Sequence, residues 1–192
     1  NLFLPGGVGG DGFKVYLLGK YLKAPIRKNI GAILSDRVSG LSVIVIFLLL
    51  LAPIIDFSFP YQRWVWLLIP LVGAGFYLFL HFFNRSLAPA FLPVTGWAFV
   101  VQLLQMATAV TILLSLGVQL NGIYENYLFL FFLSAIMGSI PITLGGIGAR
   151  EITFLFGAQY LGINQTYAVT LSLLFYAASA LTALPGIVFT LN

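Results

Sequence analysis

The chain has 192 residues, of which 60% are apolar and only 7% charged, with a mean hydropathy of +1.05. Nine basic and five acidic residues cannot clothe a soluble domain, where about a quarter of residues are charged, so lipid is the expected solvent. The net charge of +4 is too small and too local for a nucleic-acid footprint, and the lack of cysteine removes disulfides and thiolate chemistry.

The chain begins "NLFLPGGVGGDGFKVYLLGKYL", without methionine and in mid-pattern. It reads as a single transmembrane domain over 1–192, a fragment whose N-terminal spans are missing. Gly7, Gly9 and Gly12 satisfy G-x-G-x-x-G. That spacing signals a dinucleotide only inside a soluble βαβ unit, and no such unit surrounds it. Phe13 stands where the lysine of a phosphate-binding loop would follow Gly12.

Six of the nine basic residues, Lys14, Lys20, Lys23, Arg27, Lys28 and Arg37, fall in the 14–37 segment. A spanning helix needs about 20 apolar residues. Residues 38–55 form an uncharged run bounded by Arg37 and Asp56, and 64–83 form a second span behind the aromatic pair Trp64 and Trp66. Pro89 and Pro93 break the 85–96 connection, and 97–118 make a third span. Residues 127–140 begin a fourth, and the uncharged tail divides at "GINQ" (162–165) before a last span over 166–190. Later connections carry one basic residue or none, so the 14–37 segment is cytoplasmic by the positive-inside rule. The expected fold is all-α, a polytopic helical membrane bundle.

Two glycine clusters interrupt this pattern. Pro5, Gly6, Gly7, Gly9 and Gly10 precede Asp11, while Pro141, Gly145, Gly146 and Gly148 precede Arg150 and Glu151. Laid over each other they share GGxG, a preceding proline and an apolar helical tail, a weak internal repeat. Interfacial loops with glycine turns would account for either cluster alone. Their recurrence favours discontinuous, re-entrant half-helices, whose irregular backbone survives at membrane depth only beside protein or a polar cavity. A half-helix start presents free N–H groups and partial positive charge, which suits an anion such as a lipid phosphate. The candidate headgroup residues are Asp11, Arg37, Arg150 and Glu151. Gln102 and Gln105, three apart on one helix face, read as interhelical hydrogen bonds, with cavity lining as the alternative. His81 is the only histidine, and no metal site, cofactor site or nucleophile–base set emerges.

"NLFLPGGVGGDGFKVYLL", "SDRVSGL" (35–41) and "PITLGGIGAREITFLFG" (141–157) together resemble three successive motifs of the lysylphosphatidylglycerol synthase transmembrane family, which includes the flippase domain of the multiple peptide resistance factor. The resemblance implies a flippase-like domain, more transporter than enzyme, that moves lipids between leaflets of a bacterial or archaeal plasma membrane. Its partners would be anionic or aminoacylated phospholipids, with self-association left open. The soluble aminoacyl-transferase domain of the bifunctional members is not in this stretch, so lipid aminoacylation is not assigned to it. The competing readings are an intramembrane lipid-modifying enzyme with Asp11 or Glu151 as base, and a non-catalytic membrane scaffold.

Overall fold

A computed structural model describes residues 9–22, 25–55, 61–119, 122–140 and 148–184. Among these the chain is all-α, with seven α-helices: α1 (Gly9–Leu22), α2 (Ile26–Leu51), α3 (Ile69–Phe83), α4 (Phe91–Ser115), α5 (Tyr124–Ser139), α6 (Ala149–Tyr160) and α7 (Gln165–Ala183). Short 3-10 helices, Gln62–Leu68 and Arg85–Ala90, lead into α3 and α4. Four helical stretches are long and apolar enough to cross a membrane: Ile26–Leu51, Gln62–Phe83, Arg85–Ser115 and Gln165–Ala183. By composition and helix length this is an integral membrane protein.

Three element boundaries differ from the sequence expectation. The helix anticipated from residue 38 starts at Ile26, behind Pro25 at its N-cap. Charged residues end an apolar run but do not end a helix, since Arg and Lys are good helix formers. Asp36 and Arg37 therefore lie more than two turns inside α2 rather than at its mouth. Pro89 and Pro93 do not break the third span either. Pro89 sits in the 3-10 helix and Pro93 in the first turn of α4, where a missing N–H leaves no intrahelical bond unmade. Finally, α5 has only 16 residues and α6 only 12, about 24 and 18 Å long. Neither crosses a hydrocarbon core of about 30 Å alone.

The short helix α5 is nevertheless the centre of the molecule. Tyr127, Leu128, Leu130, Phe131, Phe132 and Ser134 are all buried, and α2, α4 and α6 pack around it. Phe132 stacks on Phe47 of α2 at 4.9 Å, and Phe131 meets Phe175 of α7 edge-on at 4.7 Å. Helix association in lipid gains little from the hydrophobic effect and depends on close van der Waals packing. Gly157 supplies it: a Cβ there would stand 2.3 Å from Leu130 Cδ2, so any larger residue would force the Leu130 side chain to shift. The outer surface carries the opposite residues. Phe82, Phe83, Leu92 and Trp97 are among many large apolar side chains facing outward, an arrangement suited to lipid and not to water.

The α6–α7 connection forms where "GINQ" divides the apolar run. Gly162, at φ 64°, closes α6 with Ile163 N–H donating to Ala158 O at 3.0 Å. Asn164 Oδ1 then accepts from Thr166 and Tyr167 N–H at 2.9 and 3.2 Å. Tyr127, in the first turn of α5, donates its hydroxyl to Asn164 O at 3.4 Å. The end of α6 therefore lies beside the beginning of α5, and the two helices run antiparallel.

Candidate functional site

At the start of α6 the backbone dictates the geometry. Gly148 has φ 88° and ψ −54°, a conformation that a Cβ would strain. From there the chain enters α6, and Glu151 in the third position turns back on it. Glu151 Oε2 accepts the Gly148 N–H at 2.6 Å, one half of a capping box. Glu151 Oε1 accepts the hydroxyl of Ser172, a fully buried α7 residue, at 3.0 Å. Both oxygens of this carboxylate are thus engaged by neutral donors.

Arg150, one position earlier, points elsewhere. Its guanidinium carbon lies 5.2 Å from the Phe175 ring centre and 5.9 Å from that of Phe131, within cation–π range. Its Nε and Nη2 are buried and have no hydrogen-bond partner among the described residues. Adjacent helical residues diverge by about 100°, and both Glu151 oxygens are held by Gly148 and Ser172, so no ion pair forms between Glu151 and its neighbour. Phe175 is ten residues into α7, and Arg150 is ten residues from the last residue of α6. Both distances correspond to about 15 Å along a helix axis.

The second charged cluster joins α1 to α2. Asp11, the third residue of α1, is buried at 8% exposure and accepts a hydrogen bond from Arg37 Nε. Lys14 Nζ lies 4.0 Å from its other oxygen. Beside the pair is a cavity of about 370 Å³ lined by Asp11, Val15, Ile30, Ile33, Leu34 and Arg37. The pair is the glue between two helices and the polar end of an otherwise apolar recess.

The four candidate headgroup residues therefore form two clusters, Asp11 with Arg37 and Arg150 with Glu151, and among the described residues no ion pair joins them. Gly9 and Gly10 open α1 and Gly148 precedes α6. Pro5, Gly6, Gly7, Pro141, Gly145 and Gly146 lie outside the described residues. The sequence did not single out Ser172, Phe131 or Phe175. Ser172 and Phe175 are three apart on α7 and share a face, but only packing reveals that this face meets α6. Among the described residues, Gln102, buried on α4, has no partner for its Oε1, and Glu125 Oε2 in the first turn of α5 has none either. Among the described residues no group of three His, Cys, Asp or Glu side chains could hold a metal.

Comparison of the chain with protein-family models, curated proteins and solved structures found no match.

Proposed function

We propose that this chain is a lipid-translocating membrane domain in which Arg150 holds the phosphate of an anionic or aminoacylated phospholipid during passage between leaflets. The observation that carries this reading is the buried, unpartnered edge of the Arg150 guanidinium between Phe131 and Phe175. A guanidinium with unmet donors in a low-dielectric interior strongly favours an anion that accepts two of its hydrogen bonds. A charge within a membrane segment is costly, and it is normally found where it handles a substrate.

Several features support the same reading. The N-terminus of α6 adds its dipole to the field at Arg150. The two short antiparallel helices α5 and α6 suit the discontinuous helices of transporters, whose sites lie near the bilayer midplane. If the shared outer ends of α5, α6 and α7 sit at one interface, the distance of about 15 Å puts Arg150 half-way through a core of about 30 Å. The motifs around Asp11, Asp36-Arg37 and Arg150-Glu151 resemble those of the lysylphosphatidylglycerol synthase transmembrane family, and a bacterial or archaeal plasma membrane follows from that resemblance. Glu151 serves as a positioning residue, because one oxygen holds the helix start at Gly148 and the other ties it to Ser172 of α7.

The test is reconstitution in liposomes with headgroup-labelled phosphatidylglycerol, following label access to a membrane-impermeant quencher. Losing the charged hydrogen bonds in Arg150→Ala should slow translocation by about 10- to 100-fold while membrane insertion stays normal. An unchanged rate would overturn the role of Arg150. Lipid recovered with an altered mass would instead identify a lipid-modifying enzyme.

A further inference from the structure

On the face of α2 away from Asp11 lies a groove of about 470 Å³, shared with the first half of α4. Asp36, Ser39 and Gly40 line it from α2, and Pro93, Trp97 and Gln102 from α4. None of these residues belongs to the Arg150 cluster. The volume lies within the usual range for small-ligand sites, about 300–1,000 Å³.

The groove is rich in acceptors. Gln102 is 6% exposed and its Oε1 has no partner among the described residues, an unmet acceptor in the interior of a membrane domain. Ser39, buried at 2% exposure, commits its hydroxyl hydrogen to Asp36 O at 2.7 Å, which leaves its lone pairs. The Asp36 side chain is exposed and forms no ion pair with any described residue. Arg37, the neighbouring cation, is turned about 100° away and is committed to Asp11. Nor does the start of α4 present an anion-binding set of N–H groups. The preceding 3-10 helix runs straight into it, with Phe91 N–H donating to Ala88 O, and Pro93 has no N–H to offer. Trp97 contributes an indole ring, the strongest aromatic partner for a cation.

We propose that the α2–α4 groove is a binding site for a primary ammonium group, either on a lipid headgroup or on a free alkylamine. The three N–H donors of such a group match three acceptor side chains, the Asp36 carboxylate, the Ser39 hydroxyl and the Gln102 amide oxygen. The Trp97 face adds cation–π attraction, and the alkyl portion lies along the apolar wall of α4. This site does not rest on lipid translocation, because binding alone reports it.

The test uses a Trp64→Phe/Trp66→Phe background, in which Trp97 is the sole tryptophan and is excited selectively at the red edge, beyond tyrosine absorption. In detergent micelles, butylammonium chloride is titrated against butanol and against sodium chloride at equal ionic strength. In a second arm, nanodiscs of phosphatidylethanolamine are compared with nanodiscs of phosphatidylglycerol. The expected result is a saturable change in Trp97 emission with the ammonium compound, the lipid, or both, which tells the free amine from the headgroup. Asp36→Asn should weaken that response at least about tenfold, the loss of one charge-assisted hydrogen bond; because Asp36 is exposed, this variant tests the groove without disturbing the core. Gln102→Leu should weaken it by a smaller factor. An equal response to butanol or sodium, no response in either arm, or an unaltered affinity in Asp36→Asn would overturn the proposal.

Discussion

Two helices of this chain carry an acid in their third position, and the two acids are treated differently. Asp11 of α1 takes an arginine from the adjacent helix, so its charge is met by Arg37. Glu151 of α6 takes a backbone N–H and a serine hydroxyl, and the arginine beside it is left with unmet donors. In the first case the polar atoms join α1 to α2. In the second, neutral donors consume the carboxylate and preserve a cation in an aromatic cleft. The α1–α2 cluster is therefore adhesive, and on the proposed reading α6 is the helix that handles the anion, although the two stretches resemble each other in sequence.

The sharpest way to break that contrast is to remove each arginine by a substitution of similar bulk. Arg37→Met leaves the buried Asp11 carboxylate without its guanidinium. Breaking a buried pair costs about 3–5 kcal/mol, and partial exposure of the Arg37 side chain, at 33%, brings the expected loss to about 2–3 kcal/mol. Arg150→Met breaks no ion pair, so it should leave stability unchanged or raised. Denaturant unfolding in micelles would measure both. Equal losses in the two variants would mean that Arg150 has a hidden structural partner and is not an open site.

Two glycine substitutions sharpen the account of how α6 is held. Gly157→Ala drives a methyl group into Leu130, which is itself only 1% exposed and has little room to move. The expected cost is about 1–3 kcal/mol of overpacking, seen as lower thermal stability. Gly148→Ala meets no neighbouring atom but forces a Cβ onto φ 88°, at about 1–2 kcal/mol. If Gly148→Ala proved silent, the helix start would have to relax to negative φ, and the Glu151 cap would be lost with it.

The sequence carried much of this and missed particular parts for identifiable reasons. Apolar runs located the long helices, because 20 consecutive residues of lipid-compatible side chain leave few alternatives. They misplaced the start of α2, since hydropathy records charge and not backbone conformation, and Asp36 and Arg37 interrupt only the former. The glycine clusters singled out Asp11, Arg150 and Glu151. Spacing alone did not show that Asp11 would find Arg37, 26 residues away, or that Glu151 would find Ser172, 21 residues away. Such pairings depend on which helix faces meet. The same limit applies to Gln102: its polarity was visible in α4, whereas its place opposite Asp36 and Ser39 required the α2–α4 packing.

The smallest expected change in stability tests the most specific part of the comparison. Ser172→Ala removes one neutral donor from Glu151, at about 0.5–1.5 kcal/mol. Its effect on translocation should be larger than its effect on folding. With Oε1 released, the carboxylate gains an incentive to swing toward Arg150, and an internal ion pair would then compete with any phosphate. Translocation should fall in Ser172→Ala and recover when Glu151→Gln is added, because the amide keeps an oxygen for Gly148 N–H but has no charge with which to occupy Arg150. A rate that falls in the single variant and stays low in the double variant would point to lost helix geometry. Recovery would show that the serine acts by keeping the glutamate away from the arginine.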